Sequence, residues 1–120
     1  IELKSLKSLS STFNKDFNNS VLTIYNTKGR VIVTGVGKSA HIGNKIAATL
    51  TSTGTPAFFI HATEASHGDL GSVKKNDCIV AISNSGETSE LNTYVHNFPS
   101  HKFYMNENYV IKGYHFLKKL

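Results

Sequence analysis

The sequence IVAISNSGETSEL at residues 79–91 decides the fold of this 120-residue chain. It begins with an apolar run, residues 79–82, of the length that a buried parallel strand needs. A polar turn of small residues follows at 83–86, and residues 87–91 are typical of the first turn of a helix. A strand, a tight turn and a helix N-terminus in this order predict an α/β protein with a parallel sheet.

The turn in this stretch has the features of an anion-binding site. The first N–H groups of a helix have no partner within the helix, and the helix dipole adds partial positive charge there. Ser83, Ser85 and Thr88 can add hydroxyl donors, and Gly86 lets the backbone approach a ligand closely. We interpret residues 83–88 as a phosphate cradle. The alternative is an ordinary strand–turn–helix connection in which a serine caps the helix.

The composition is that of one globular domain. Hydrophobic residues make up 39% of the chain and charged residues 18%. The net charge of +5 comes from scattered lysines that are not interleaved with aromatics, which argues against nucleic acid and suits a small anionic ligand. The single cysteine, Cys78, cannot form an internal disulfide, so we expect a reducing, cytoplasmic location. We see no signal peptide or membrane-length apolar stretch, and therefore expect a soluble protein that binds no membrane.

Apolar residues at helical spacing predict one broken helix or two helices before the first strand. These residues are Leu3, Leu6, Leu9 and Phe13, continued by Phe17, Val21, Leu22, Ile24 and Tyr25. Gly29 is expected to follow the last helix as its C′ residue. The simplest interpretation is that the apolar face covers a sheet.

The first predicted strand, residues 30–34, leads into a glycine-containing turn and then a helix. The turn presents Lys38 and Ser39 at the carboxyl end of the strand, where ligands bind in open α/β sheets. Lysine is usually a surface residue, but its place in this turn favours a role in a site.

Two nucleotide-binding motifs can be tested against this turn. Gly35, Gly37 and Ala40 satisfy the G-x-G-x-x-G/A pattern. A dinucleotide site would also need an acidic residue near the end of the next strand, where the chain has His61. A P-loop would need a glycine where the chain has Ile32. We therefore predict neither nucleotide site, and no cofactor.

The second predicted strand, residues 57–60, ends next to a group of side chains that can bind a metal. The group consists of His61, Glu64, His67 and Asp69. Their spacing is not that of a strong zinc motif, and histidines also line sugar sites through hydrogen bonds. A metal site therefore stays an open alternative.

Together these stretches resemble the SIS (sugar isomerase) domain family. SNSGETSE at residues 83–90 is similar to the phosphosugar loop of these domains. GVGKSAHIGNKIAATLTSTGTPAFFIH at 35–61 and EASHGDLG at 64–71 narrow the resemblance to the arabinose-5-phosphate isomerase branch. The likeness runs from about Ile1 to Leu91 and fades beyond that point.

The resemblance implies a Rossmann-like three-layer α/β domain with a parallel sheet, of which this chain holds the N-terminal half. We expect three parallel strands in the order second, first, third, with flanking helices. Residues 1–98 would form the partial SIS domain and 99–120 a divergent tail, without CBS domains. The outer edge of the third strand would be uncovered unless the tail folds over it. Family members also use their first helices to associate, so a homo-oligomer is expected.

The resemblance also assigns site residues. Lys38 and Glu90 match positions that are important for catalysis, and Glu90 can serve as a base beside the cradle. Substrate contacts are expected from Ser39, Gly54, Thr55, His61 and His67, in addition to Ser83, Ser85 and Thr88. His61 also falls on a metal position of the family.

The implied reaction is an aldose–ketose isomerisation of D-arabinose 5-phosphate and D-ribulose 5-phosphate. It needs a base against an acidic C–H and a group that polarises the carbonyl. The family also uses a later glutamate and a later histidine, and neither motif exists in this chain. Two alternatives therefore stay open: a phosphosugar-binding module without turnover, and an inactive truncated product.

Overall fold

The computed structural model describes residues 2–10, 13–65, 67–83, 89–91, 103–107 and 110–113. The helices of this part are α1 (Glu2–Leu9), α2 (Lys15–Tyr25), α3 (Gly37–Ser52) and α4 (Ala62–Ala65), with a 3-10 helix at Asp69–Ser72. The strands are β1 (Val31–Gly35), β2 (Ala57–His61), β3 (Cys78–Ile82), β4 (Phe103–Glu107) and β5 (Val110–Gly113). The α/β class is confirmed.

These strands form one sheet in the order β2-β1-β3-β4-β5. β1 lies between two parallel neighbours, because Val31 is paired with Ala57 on one side and with Cys78 on the other. The predicted order of the first three strands is therefore confirmed.

The sheet extends beyond the three strands that the sequence predicted. β4 runs parallel to β3, with Phe103 opposite Ile79, and β5 runs antiparallel to β4, with Gly113 opposite Tyr104. The segment after residue 99 therefore supplies two strands, and β4 covers the outer edge of β3.

Apolar side chains fill both faces of the sheet, as expected when helices cover a parallel sheet. One face, called here the α4 face, packs Ile32, Ile60 and Ile79 with Ala62, Ala65, Ala81 and Leu91. The other, the α3 face, packs Val31, Val33, Val80 and Ile82 with Ala47. β1 and β3 are buried along their whole length, so the core lies on both sides of these two strands.

An ion pair joins β1 to β3 at the amino edge of the sheet. Arg30 Nη2 lies 2.8 Å from Asp77 Oδ2, and the carboxylate also accepts the backbone N–H groups of Arg30 and Lys74, both at 2.8 Å. The same Nη2 donates to the Ser72 carbonyl, and the guanidinium lies 4.8 Å from the ring centroid of Phe58. The pair therefore also holds the end of the 3-10 helix against the sheet.

Gly29 does not end a helix, and the prediction that it is a C′ residue is wrong. α2 ends at Tyr25 with Asn26 as its cap. The Gly29 N–H instead donates to the Asn76 carbonyl at 3.0 Å, and a Cβ on Gly29 would lie 2.5 Å from that oxygen and from Asp77 Oδ1. A glycine is needed here because two backbone segments approach each other closely.

The apolar residues of the first two helices divide between core and solvent. Ile24 of α2 packs on the α3 face of the sheet. Leu3, Leu6 and Phe13 are exposed, Leu3 by 69%. The apolar side of α1 is therefore exposed, and no element among the described residues covers it. None of the helices in the described residues has both the length and the apolar character needed to cross a membrane.

Candidate functional site

The carboxyl ends of β1, β2 and β3 bring four predicted site residues to one edge of the sheet. Gly35 is paired with His61 on one side and with the last residue of β3 on the other. Lys38 and Ser39 follow β1 in the first turn of α3, and Ser83 directly follows β3. β1 connects to one neighbour and β3 lies on its other side, so this crevice is a topological switch point, where open α/β sheets bind ligands.

A close approach of backbones sets the start of α3. A Cβ on Gly35 would lie 3.1 Å from the Ile82 carbonyl oxygen and 3.2 Å from the backbone of Ser39, so glycine lets α3 begin directly against the sheet. Gly37, with a φ of 56°, turns the chain into the helix. Ser39 is buried and Lys38 is exposed. The turn therefore places a cationic side chain in solvent next to a buried serine.

The side chain of His61 is held in place by two residues close to it in sequence. Its Nδ1 lies 2.7 Å from Thr63 Oγ1 and accepts the Thr63 backbone N–H at 3.4 Å. The ring makes an edge contact with Phe59, with ring centroids 6.2 Å apart. Because a backbone N–H points at Nδ1, this arrangement favours the tautomer with the proton on Nε2. His61 can therefore donate a hydrogen bond from Nε2 to a ligand.

Glu90 lies in a short helical segment, residues 89–91, that is anchored on the α4 face by the buried Leu91. The Ser89 hydroxyl donates to Glu90 Oε2 at 2.9 Å. The backbone N–H of Glu90 and this hydroxyl hold the pKa of the Glu90 carboxyl below its usual value. Glu90 is therefore a carboxylate at neutral pH and can accept a proton.

His67 is exposed in the turn between α4 and the 3-10 helix. Its backbone N–H donates to the Glu64 carbonyl at 2.9 Å. No group of three or more His, Cys, Asp or Glu side chains within the described ranges is arranged to hold a metal ion. The prediction of a metal at His61 gains no support from this geometry and stays a prediction.

Gly54 and Thr55 lie at the opposite, amino edge of the sheet. They end α3 in a Schellman motif: Gly54 has a φ of 94° and donates to the Thr51 carbonyl at 3.2 Å, and the Thr55 N–H donates to the Leu50 carbonyl at 2.9 Å. They precede β2, and His61 is its last residue, about 13 Å from Ala57 at the rise of a parallel strand. They do not lie beside the site residues at the carboxyl edge that the structure describes, and their substrate contact remains a prediction.

Two residues of the phosphate cradle, Ser85 and Thr88, lie outside the described residues, as does the turn that contains them. Of the three predicted cradle hydroxyls, only that of Ser83 can be placed, buried at the end of β3. The cradle therefore stays a prediction from the sequence.

Thr34 is a candidate that the sequence analysis did not identify. It is fully buried in β1, and its Oγ1 has no hydrogen-bond partner among the residues that the structure describes. The available signal was a threonine directly before the glycine turn, at the end of the otherwise aliphatic run VIV.

An open, mostly parallel α/β sheet with ionisable and polar side chains at its carboxyl edge defines a Rossmann-like protein. The SIS domain model matches residues 23–102. The chain belongs to the SIS domain family, and the resemblance recognised in the sequence is confirmed.

Two curated relatives and one solved structure show where in this family the chain stands. It is 53% identical over 95 residues to arabinose 5-phosphate isomerase KdsD of Yersinia pestis, covering 79% of this chain and 29% of that protein. It is 50% identical over 93 residues to KdsD of Pseudomonas aeruginosa, covering 78% and 28%. An Escherichia coli protein solved in complex with arabinose 5-phosphate superposes with a TM-score of 0.72 at 43% identity, covering 83% of this chain and 55% of the other. The chain thus spans less than a third of these curated relatives.

Proposed function

We propose that the chain binds five-carbon sugar phosphates, as the N-terminal half of a domain that interconverts D-arabinose 5-phosphate and D-ribulose 5-phosphate. The observation that carries this proposal is the convergence of Lys38, Ser39, His61 and Ser83 at the carboxyl edge of β1, β2 and β3. The names of the relatives and the arabinose 5-phosphate complex of the Escherichia coli protein support this substrate class. A net charge of +5 favours an anionic ligand.

The binding residues divide between the two ends of the ligand. We assign the phosphate to the cradle, residues 83–88, assisted by the Ser39 hydroxyl and the charge of Lys38. We assign the sugar hydroxyls to His61 and His67. The Nε2–H of His61 is available for such a bond because Nδ1 already accepts from Thr63.

The chemistry is a proton shift between neighbouring carbons through an enediol. We assign Glu90 as the base that takes the proton from the carbon next to the carbonyl, while the electron pair moves onto the carbonyl oxygen. The Lys38 ammonium stabilises the charge that develops on that oxygen. The former carbonyl oxygen takes up a proton while the hydroxyl on the neighbouring carbon gives one up to become the new carbonyl. Glu90 returns its proton to the former carbonyl carbon and is ionised again.

One observation favours a second candidate, a module that binds phosphosugars without turnover. The lowered pKa of Glu90 makes it a weaker base than a carboxylate tuned for proton abstraction. Proton transfer also needs groups held on both sides of the sugar, and this chain covers only 29% of the relative from Yersinia pestis. We therefore expect the 120-residue chain to bind the ligand and to isomerise it slowly or not at all.

An NMR assay of ribulose 5-phosphate in deuterated water, run beside thermal unfolding with and without ligand, separates these functions. Turnover supports the isomerase, and ligand stabilisation without turnover supports the binding module. Glu90→Gln should keep the stabilisation and abolish any deuterium exchange at the carbon next to the carbonyl. Glu64→Gln, an equivalent change at an exposed side chain, should alter neither. A wild-type chain that neither is stabilised nor exchanges deuterium would refute the proposed function.

We also propose that the protein works as a homo-oligomer in the cytoplasm. The exposed apolar side of α1 supports association. A single cysteine, which cannot form an internal disulfide, supports a reducing compartment. The open edge of β3, one reason to expect association from the sequence, does not contribute because β4 occupies it.

A further inference from the structure

Thr34 is the one residue of β1 with a polar side chain, and its described neighbours offer its hydroxyl no hydrogen bond. Its exposed fraction is 0%, and Oγ1 has no hydrogen-bond partner within the described part of the chain. Burial of a hydroxyl without a partner is unfavourable, and a valine of nearly the same shape would avoid it. By contrast, the buried hydroxyl of Ser20 donates to the Asp16 carbonyl at 2.8 Å. The Thr34 hydroxyl therefore needs a partner that the described residues do not supply.

The position of Thr34 indicates where that partner comes from. Thr34 is one residue, about 3.3 Å along the strand, below the row of strand ends formed by Gly35, His61 and Ile82. It lies on β1, at the crevice between β1 and β3 where the strand order changes direction. Thr34 is therefore at the base of the same edge that gathers the proposed ligand-binding side chains.

Thr34 projects to the α4 face of the sheet, where Ile60 on β2 and Ala81 on β3 are its register partners. In a parallel pair such partners project to the same side. Ala62 and Ala65 of α4 pack on that same face. These neighbours are apolar, so the Thr34 hydroxyl gains a hydrogen bond on this face only if an oxygen from outside this packing reaches it.

We infer that the Thr34 hydroxyl is a specificity-determining group of the site: it bonds an oxygen that arrives with the sugar phosphate, either the ligand's own or that of a water held by it. This inference rests on the proposed function, because it needs that ligand at this edge. It adds a residue of the sheet itself to a site otherwise built from turns and helix ends. The free protein would then be more stable with a valine at position 34, whereas the ligand would bind more tightly with a threonine there.

The test compares Thr34→Val, Thr34→Ser and Ser20→Ala in the 120-residue chain. Thermal unfolding measures each free protein, and calorimetry with D-arabinose 5-phosphate and with inorganic phosphate measures affinity. Thr34→Val should unfold at or above the wild-type temperature, yet bind the sugar phosphate roughly 3- to 30-fold more weakly. Thr34→Ser keeps the hydroxyl and should keep the affinity. Ser20→Ala removes a hydroxyl that has a partner, and should unfold earlier with unchanged affinity.

The two ligands locate the contact. If Thr34→Val loses affinity for the sugar phosphate alone, the Thr34 hydroxyl contacts the sugar. If it loses affinity for inorganic phosphate equally, the hydroxyl contacts the phosphoryl end. The inference is overturned if Thr34→Val destabilises the free chain as Ser20→Ala does, since the hydroxyl then has a partner without ligand. It is also overturned if Thr34→Val binds as well as a wild type that does bind. A wild-type chain that binds neither ligand refutes the proposed function itself, and this inference with it.

Discussion

The ion pair between Arg30 and Asp77 should carry a large share of the stability of the sheet, and Asp77→Asn tests this. Asp77 Oδ2 accepts the Arg30 Nη2–H and the Lys74 N–H, both at 2.8 Å. Oδ1 accepts the Arg30 backbone N–H at 2.8 Å and Nε–H at 3.4 Å. An asparagine has one acceptor oxygen, so its NH₂ group would face two donors wherever it is placed.

The size of the effect follows from these contacts. The Asp77 side chain is 2% exposed, so water cannot replace the lost bonds. The Arg30 side chain that is left unpaired is 35% exposed and keeps its bond to the Ser72 carbonyl, so we expect a cost of about 1–3 kcal/mol, out of a total stability of about 5–15 kcal/mol for a small domain. Urea unfolding followed by circular dichroism should therefore show a midpoint lowered by on the order of 1 M at pH 7. Asp69→Asn, the same change at an exposed residue, should lower the free energy of unfolding by less than about 1 kcal/mol.

The pH dependence gives an independent check. Burial acts to raise the pKa of Asp77, but the hydrogen bonds from Arg30 and Lys74 and the charge of Arg30 outweigh it and hold the pKa below its usual value. The contribution of Asp77 to the free energy of unfolding is therefore fully present above its pKa in the unfolded chain, about 4. That contribution is lost as the pH falls through the lower pKa of the folded protein. The difference in the free energy of unfolding between wild type and Asp77→Asn should be constant from about pH 6 to pH 8 and should shrink below about pH 4. A difference under about 1 kcal/mol at pH 7, or one that does not shrink in acid, would refute this reasoning.

Three further predictions concern the backbone, the cradle and the assembly. Gly29→Ala should lower the free energy of unfolding by about 1–3 kcal/mol, because its Cβ meets the Asn76 carbonyl at 2.5 Å, whereas Gly71→Ala, whose Cβ meets nothing within 4 Å, should be neutral or slightly stabilising in the same urea assay. Ser85→Ala should weaken sugar-phosphate binding by roughly 1–3 kcal/mol in calorimetry, and an unchanged affinity would count against the cradle. Sedimentation at micromolar concentration should give a mass above the 13.1 kDa of one chain, and a clean monomer would exclude association through α1.

The sequence predicted the centre of the fold because its signals there are local and strong. β1 and β3 are short aliphatic runs buried on both faces, which is the pattern of central parallel strands. The glycine turn after β1 and the site residues that follow strand ends could be placed for the same reason. A residue directly after a parallel strand must lie at the carboxyl edge, whatever the rest of the chain does.

Features that depend on distant partners were not predictable in this way. β4 becomes a strand by pairing with β3, and nothing in the order of its residues indicates that pairing. Gly29 looks like a helix end, yet its role is set by Asn76 across the sheet edge. Similarly, Gly54 was identified as a ligand contact by resemblance, while its backbone geometry in this chain completes a helix cap at the other edge.

The central position of β1 has a consequence for how the chain is made. β1 can pair with β2 as soon as this next strand is made. The other edge of β1 pairs with β3, which lies about 47 positions further along the chain, the separation of Arg30 and Asp77. At a synthesis rate of about 5–20 residues per second, that edge is open on the ribosome for roughly 2–10 s after β1 emerges. An aliphatic strand with an unpaired edge is a site for chain-to-chain aggregation. We therefore expect β1 to be open to aggregation in the interval between its own emergence and that of β3.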